Sequence, residues 1–144
     1  MKILVPVDGS QNSMEAVKVA LKYAKATKTD ISLMTVTPFI SGLDLEISAV
    51  AMDSLNESMK SRGEEVLGIA QGSLTAEGVS AKTILASSIS AADDIIGFAE
   101  KEKMDLIIVG SRGLGSAATR FIMGSVASKV VSHAPCNVYV VKTA

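Results

Sequence analysis

Two hydrophobic periods, one of strands and one of helices, take turns along this chain. Ile3-Leu4-Val5-Pro6-Val7 and Leu106-Ile107-Ile108-Val109 are continuous apolar runs, and runs of this kind belong to strands covered on both faces. Pro6 has no N–H to give to a ladder, so it is expected near the carboxyl end of its strand, where the chain leaves the sheet. Asp8-Gly9-Ser10 makes the turn that follows. Asn12 and Glu15 then have the spacing of a capping box, and Met14, Val17, Leu21 and Ala24 fall on one helical stripe. Asp30 to Val36 reads as a second strand, closed by Pro38. From Phe39 to about Asp53 the pattern is mixed, and a mobile connection is expected there. It leads into a helix carried by Leu55, Met59, Val66, Ile69 and Ala70, which Gly78 ends. Val79 to Leu85 is a third strand, and Ser80 and Lys82 interrupt its apolar positions as suits an edge. Ser90 and Asp93 cap a helix striped by Ala92, Ile95, Ile96 and Ala99. After the fourth strand, a helix starting near Ile122 carries Val126 and Val130, and Val138-Tyr139-Val140-Val141 is the final strand.

The order β-α-β-α-β-α-β-α-β predicts an α/β fold, a parallel sheet with helices on both faces. Such sheets bind ligands beyond the carboxyl ends of their strands, where the strand order reverses. Asp8-Gly9-Ser10 and Gly110-Ser111-Arg112-Gly113 both lie at carboxyl ends, and they face each other if strands one and four are neighbours across the reversal. In the second loop Gly110, Gly113 and Gly115 leave backbone N–H groups unobstructed, which suits a phosphate. No Asp or Glu lies beyond Asp105, whereas Arg112, Arg120, Lys129 and Lys142 do, so the local field favours an anion. The same residues also fit a solvated surface beside a loop whose glycines only turn the chain.

Composition narrows the function. At 144 residues and 48% hydrophobic, the chain has the size of one domain with a substantial core, spanning residues 1–144. A net charge of -1, 3% aromatic residues and no Trp argue against nucleic acid as a partner. The segment from Met1 to Asp8 meets a charged residue too soon for a signal peptide, and no apolar run approaches the roughly 20 residues of a membrane span, so a cytoplasmic location without membrane association is expected. The single cysteine, Cys136, excludes an internal disulfide and a cysteine-built metal site. A P-loop needs Gly-Lys-Ser/Thr, and the chain has no Gly-Lys pair. Gly113-x-Gly115-x-x-Ala118 fits the dinucleotide fingerprint, but the acid expected about twenty residues further on is missing. His133, the one histidine, is expected to meet the carbonyls that end the last helix rather than to catalyse, and Cys136 to be a small apolar filler. Asp8 alone stands out among the acids, either as a turn cap or as an acceptor for a ribose hydroxyl or a metal. No catalytic or metal-ligating set emerges.

Four blocks, Ile3 to Ser10, Asp105 to Gly113, Gly124-Ser125-Val126-Ala127 and His133-Ala134-Pro135-Cys136-Asn137-Val138, recur in this order over essentially the whole chain and together resemble the universal stress protein family. The resemblance implies the adenine nucleotide alpha hydrolase-like fold, with five parallel strands in the order 3-2-1-4-5, and a homodimer through the last strand, residues 138–141. The nucleotide-binding branch of the family carries Gly-x2-Gly-x9-Gly-Ser/Thr around the phosphates of ATP. Here Gly110, Gly113, Gly124 and Ser125 match it. The likeness further implies Asp8 at the ribose, Pro6 and Val7 in the adenine pocket, the backbone of Val36 at the adenine edge, and Val109, Arg112 and Val126 completing the shell. Two departures stand out: Leu114 to Met123 puts ten residues where the pattern has nine, and Leu85-Ala86-Ser87 stands where the family often has glycine at the pocket edge. The implied function is an ATP-binding regulatory protein of the stress response, binding ATP, AMP or ADP with Mg2+ as the accompanying ion, with at most slow hydrolysis. The alternative is a dimeric interaction module of the same fold that binds no nucleotide.

Overall fold

The structure, a computed structural model, describes residues 1–39, 48–112 and 123–142. Along them run β1 (Lys2–Pro6), α1 (Gln11–Ala26), β2 (Asp30–Pro38), α2 (Ala49–Thr75), β3 (Ala81–Ser88), α3 (Ala91–Lys101), β4 (Leu106–Gly110), α4 (Ser125–His133) and β5 (Asn137–Val141). The strands form one parallel sheet in the order β3-β2-β1-β4-β5, which places β1 at the centre and β3 and β5 at the edges. Side-chain alternation along β1 explains its unbroken apolar run. Ile3 and Val5 pack on one face against Ala16, Val17 and Ala20 of α1 and Leu67, Ala70 and Leu74 of α2. Leu4 packs on the other face against Ala92, Ile95 and Ala99 of α3 and Ala127 and Val130 of α4. No helix among the described residues is long and apolar enough to cross a membrane.

Element boundaries depart from the sequence reading where local hydrogen bonds outweigh periodicity. The cap of α1 is Ser10, whose side chain accepts from Ser13 N; the expected Asn12–Glu15 box does not form, and Glu15 pairs instead with Lys18 at 2.8 Å. Gly9, at φ 85°, turns the chain early enough for Ser10 to take that place. Helix α2 is capped by Ser48 and is already helical at Ala49, where a mobile connection was expected as far as Asp53; residues 40–47 lie outside the described residues. Its first turns expose Ala49, Val50, Ala51, Asp53 and Ser54, so they carry no apolar stripe to signal a helix. Strand β3 starts at Ala81 rather than Val79, because Val79 N donates to Leu74 O and closes the turn after α2. Strand β2 runs on to Pro38, which pairs with Ser88 in the last rung.

The sheet opens at one place. Strand β1 pairs with β2 at every residue from Lys2 to Pro6, but with β4 only through Ile3–Leu106 and Leu4–Ile107. Val7 N donates to Met34 O at 2.8 Å on the β2 side, so by alternation the missing N–H of Pro6 faces β4. The two central strands part there, at the point where the strand order reverses.

Candidate functional site

A cavity of about 570 Å3 fills this opening at the carboxyl end of the sheet. Pro6, Val7 and Asp8 enter it from β1 and its turn, Val36 from β2, Val109, Gly110 and Arg112 from β4, and Gly124, Ser125 and Val126 from the start of α4. These are the residues singled out in the sequence except Gly113, which lies outside the described residues. Met34 and Pro38 of β2, Ala91 and Ile95 of α3, Ala127 of α4 and Ser13 of α1 also line it, and sequence reasoning passes over them. Ile95 and Ala127 look like ordinary core positions of their helices. Ser13 had a local signal, its place in Asp8-Gly9-Ser10-x-x-Ser13.

The cavity has an apolar flank and a polar mouth. Met34, Val36, Ile95 and Val109 supply the first. Thr35 Oγ1 donates to Val7 O at 2.8 Å and holds the backbone beside it. At the mouth, Gly110 is obligatory for packing: a Cβ there would lie 2.8 Å from the carbonyl carbon of Asn12 and 2.9 Å from its oxygen, so only glycine lets β4 end against the first turn of α1. Gly124 N donates to Ser111 O at 2.7 Å, and Ser111 N donates to Val141 O at 2.9 Å. These bonds fasten the start of α4 to the end of β4. Residues 113–122 lie outside the described residues; on either side of them Gly110 and Arg112, and Gly124 and Ser125, line the same cavity. Gly124 is the cap residue of α4 and adds no side-chain bond to the helix's leading N–H groups.

Among the described residues, charge at the site is sparser than the sequence suggests; Arg120 lies outside them. Lys129 forms an ion pair with Asp93 at 2.8 Å across the α3–α4 contact, so it does not add to a field at the loop. The hydrogen bond from Lys129, with a second from Ser90, holds the Asp93 carboxyl below its ordinary range. That contribution is present above the ordinary carboxylate range and is lost as pH falls through the depressed value. Arg112 and Asp8 are the charged side chains among the described lining residues. His133 Nδ1 lies 3.2 Å from Lys129 O in the last turn of α4, as expected for a helix-end ring. Cys136 is half-buried against the α3–α4 core, and burial, with the Asp105 charge adding, raises its thiol. Among the described residues no group of three or more His, Cys, Asp or Glu that could hold a metal ion is found. Leu85, Ala86 and Ser87 line a second cavity of about 470 Å3 between α2 and the ends of β2 and β3, which shares Pro38 with the first.

A parallel sheet ordered 3-2-1-4-5, with a ligand-sized crevice at its reversal point, is the adenine nucleotide alpha hydrolase-like architecture. A family model described as universal stress protein family matches residues 1–142, and the chain belongs to that family. It is 37% identical over 144 residues to a universal stress protein of Methanocaldococcus jannaschii, covering 98% of this chain and 81% of that one. The solved structure of universal stress protein UspA from Lactobacillus plantarum superposes with a TM-score of 0.85 at 26% identity, over 99% of this chain and 97% of that one. A universal stress protein family protein from Arabidopsis thaliana, solved with AMP bound, shares the fold with a TM-score of 0.73 at 22% identity, over 100% of this chain and 92% of that one.

Proposed function

We propose that the chain is an adenine-nucleotide-binding regulatory protein of the stress response, with ATP as its ligand and at most slow hydrolysis. The observation that carries the reading is the convergence of the expected contacts among the described residues, Pro6 to Asp8, Val36, Val109, Gly110, Arg112 and Gly124 to Val126, on one cavity. The volume lies within the range of small-molecule sites, and the apolar flank with a few convergent polar groups suits a base joined to a polar tail. In this reading Pro6 and Val7 line the adenine pocket, the backbone of Val36 meets the adenine edge, Asp8 accepts from the ribose, and Gly110, Gly113, Gly124, Ser125 and Arg112 surround the phosphates, with the start of α4 adding its N–H groups. Mg2+ arrives with the triphosphate. Asp8 is the only candidate base among the described lining residues, which agrees with binding rather than turnover. The Arabidopsis protein's AMP supports the reading by fold alone.

Purified protein, denatured and analysed for released nucleotide, is expected to yield ATP, ADP or AMP. Saturating ATP with Mg2+ is expected to raise the melting temperature by about 5–10 °C, from roughly 2.7 kcal/mol of stabilisation at a hundredfold excess over Kd. No released nucleotide and no shift with any of the three would overturn the reading and leave the nucleotide-free interaction module.

The same proposal includes a homodimer through residues 138–141. Val141 O accepts from Ser111 N on the β4 side, so the backbone groups of Val138 and Val140 point away from the sheet along its open edge. A second copy of β5 satisfies them. Sedimentation is expected to show a dimer that Val140→Pro converts to a monomer, since proline removes an outward N–H while an edge strand tolerates it. A wild-type monomer at all concentrations would sink the dimer.

A further inference from the structure

The turn between β1 and α1 holds more hydrogen bonds than a helix cap requires. In a capping box the third helical residue returns a side-chain bond to the cap's own N–H. Here that N–H, Ser10 N, donates to Asp8 Oδ1 at 2.9 Å. The third helical residue, Ser13, turns its hydroxyl elsewhere: Oγ donates to Ser10 O at 2.9 Å and accepts from Asp8 N at 3.3 Å. The cap itself is a different bond, from Ser13 N to Ser10 Oγ at 3.2 Å, and needs no Ser13 hydroxyl. Asp8 is thus held at its backbone N–H by Ser13 and at a carboxylate oxygen by Ser10. Ser13 is buried, yet it lines the cavity together with Asp8.

We propose that Ser13 is a positioning residue that aims the Asp8 carboxylate at the sugar of the bound nucleotide and thereby sets selectivity for ribose over deoxyribose. The proposal rests on the nucleotide reading above. Its physical basis is the angular dependence of hydrogen bonds to a charged acceptor, which weaken steeply when misaligned. Asp8 has a short side chain, so its carboxylate direction follows its backbone, and the Ser13 hydroxyl bonds to both ends of the Asp8–Ser10 turn. Removing the hydroxyl loosens the carboxylate while leaving the helix cap in place.

The test is calorimetric titration of ATP, 2′-deoxy-ATP and 3′-deoxy-ATP into wild type, Ser13→Ala, Ser13→Thr, Asp8→Asn and the Asp8→Asn/Ser13→Ala double variant. Wild type is expected to prefer ATP over the weaker deoxy analogue by about tenfold or more, as a hydrogen bond to a charged group allows. Ser13→Ala is expected to cut that preference to about threefold or less, by misaligning one charged hydrogen bond, and Ser13→Thr to restore it. In the Asp8→Asn background, removing the Ser13 hydroxyl is expected to change the preference no further. If Ser13→Ala weakens all three ligands equally and keeps the wild-type preference, Ser13 serves the fold alone and the inference is overturned. A further drop in the Asp8→Asn background also overturns it, because Ser13 then acts without Asp8. Wild type that binds none of the three removes the nucleotide reading itself.

Discussion

Gly110→Ala is expected to lower the melting temperature by about 3–10 °C and to weaken ATP binding more than tenfold, from an overpacking cost of about 1–3 kcal/mol and a shifted site wall. The added Cβ would stand 2.8 Å and 2.9 Å from the carbonyl carbon and oxygen of Asn12, which are backbone atoms of α1 and cannot rotate aside. Relief requires the first turn of α1 to move away from β4. That turn is bonded to Asp8 through Ser10 and Ser13, so the displacement reaches the proposed ribose contact directly. A thermal melt and an ATP titration of the purified variant check both halves. Wild-type melting and wild-type affinity together would show that the contact between β4 and α1 yields freely.

Leu33→Ala is expected to cost more stability and to leave binding almost untouched. Leu33 is 0% exposed in β2 and belongs to the core beneath α1 and α2. Loss of a buried leucine costs about 2–5 kcal/mol through transfer and cavity terms together. For a domain near this size that is a fall of about 5–15 °C in melting temperature. Its neighbour Met34 points to the opposite face and lines the cavity at the carboxyl end of the sheet, so the change is confined to the far side of the sheet. Urea unfolding is expected to show a reduced midpoint at unchanged slope, with ATP affinity within about threefold of wild type when measured well below the melting point. A stability loss under about 1 kcal/mol would mean that the core collapses around the gap.

The contrast between these variants tracks what the chain makes legible. Core strands were readable because β1 and β4 are covered on both faces and therefore show unbroken apolar runs, and the alternation with helices then leaves few topologies. The start of α2 was not readable, since its exposed first turns have no stripe and only the Ser48 cap marks them. Two capping patterns compete at α1, Ser10–Ser13 and Asn12–Glu15, and the left-handed turn at Gly9 decides between them. In the site, Asp8, Gly110 and Arg112 could be named in advance from the turns at the strand ends, and Pro6, Val7, Val36, Val109 and Val126 from the family resemblance alone. Ile95 and Ala127 could not, because core packing and cavity lining require the same residue types at the same helical spacing. Lys129 shows a third kind of limit. Its partner Asp93 is distant in sequence and becomes its neighbour only when α3 packs on α4.

Two subtractions from the chain meet at the crevice between β1 and β4: Pro6 lacks an N–H to give to β4, and Gly110 lacks the side chain that would keep β4 from ending against α1. Neither subtraction depends on which side chains face the cavity. Val36, Arg112 and Ser125 line the cavity without belonging to the fully buried core, so exchanges there alter its lining while both features stay in place. On the proposed function, ligand preference and sheet architecture are then separable variables: the lining can change without the sheet being rebuilt.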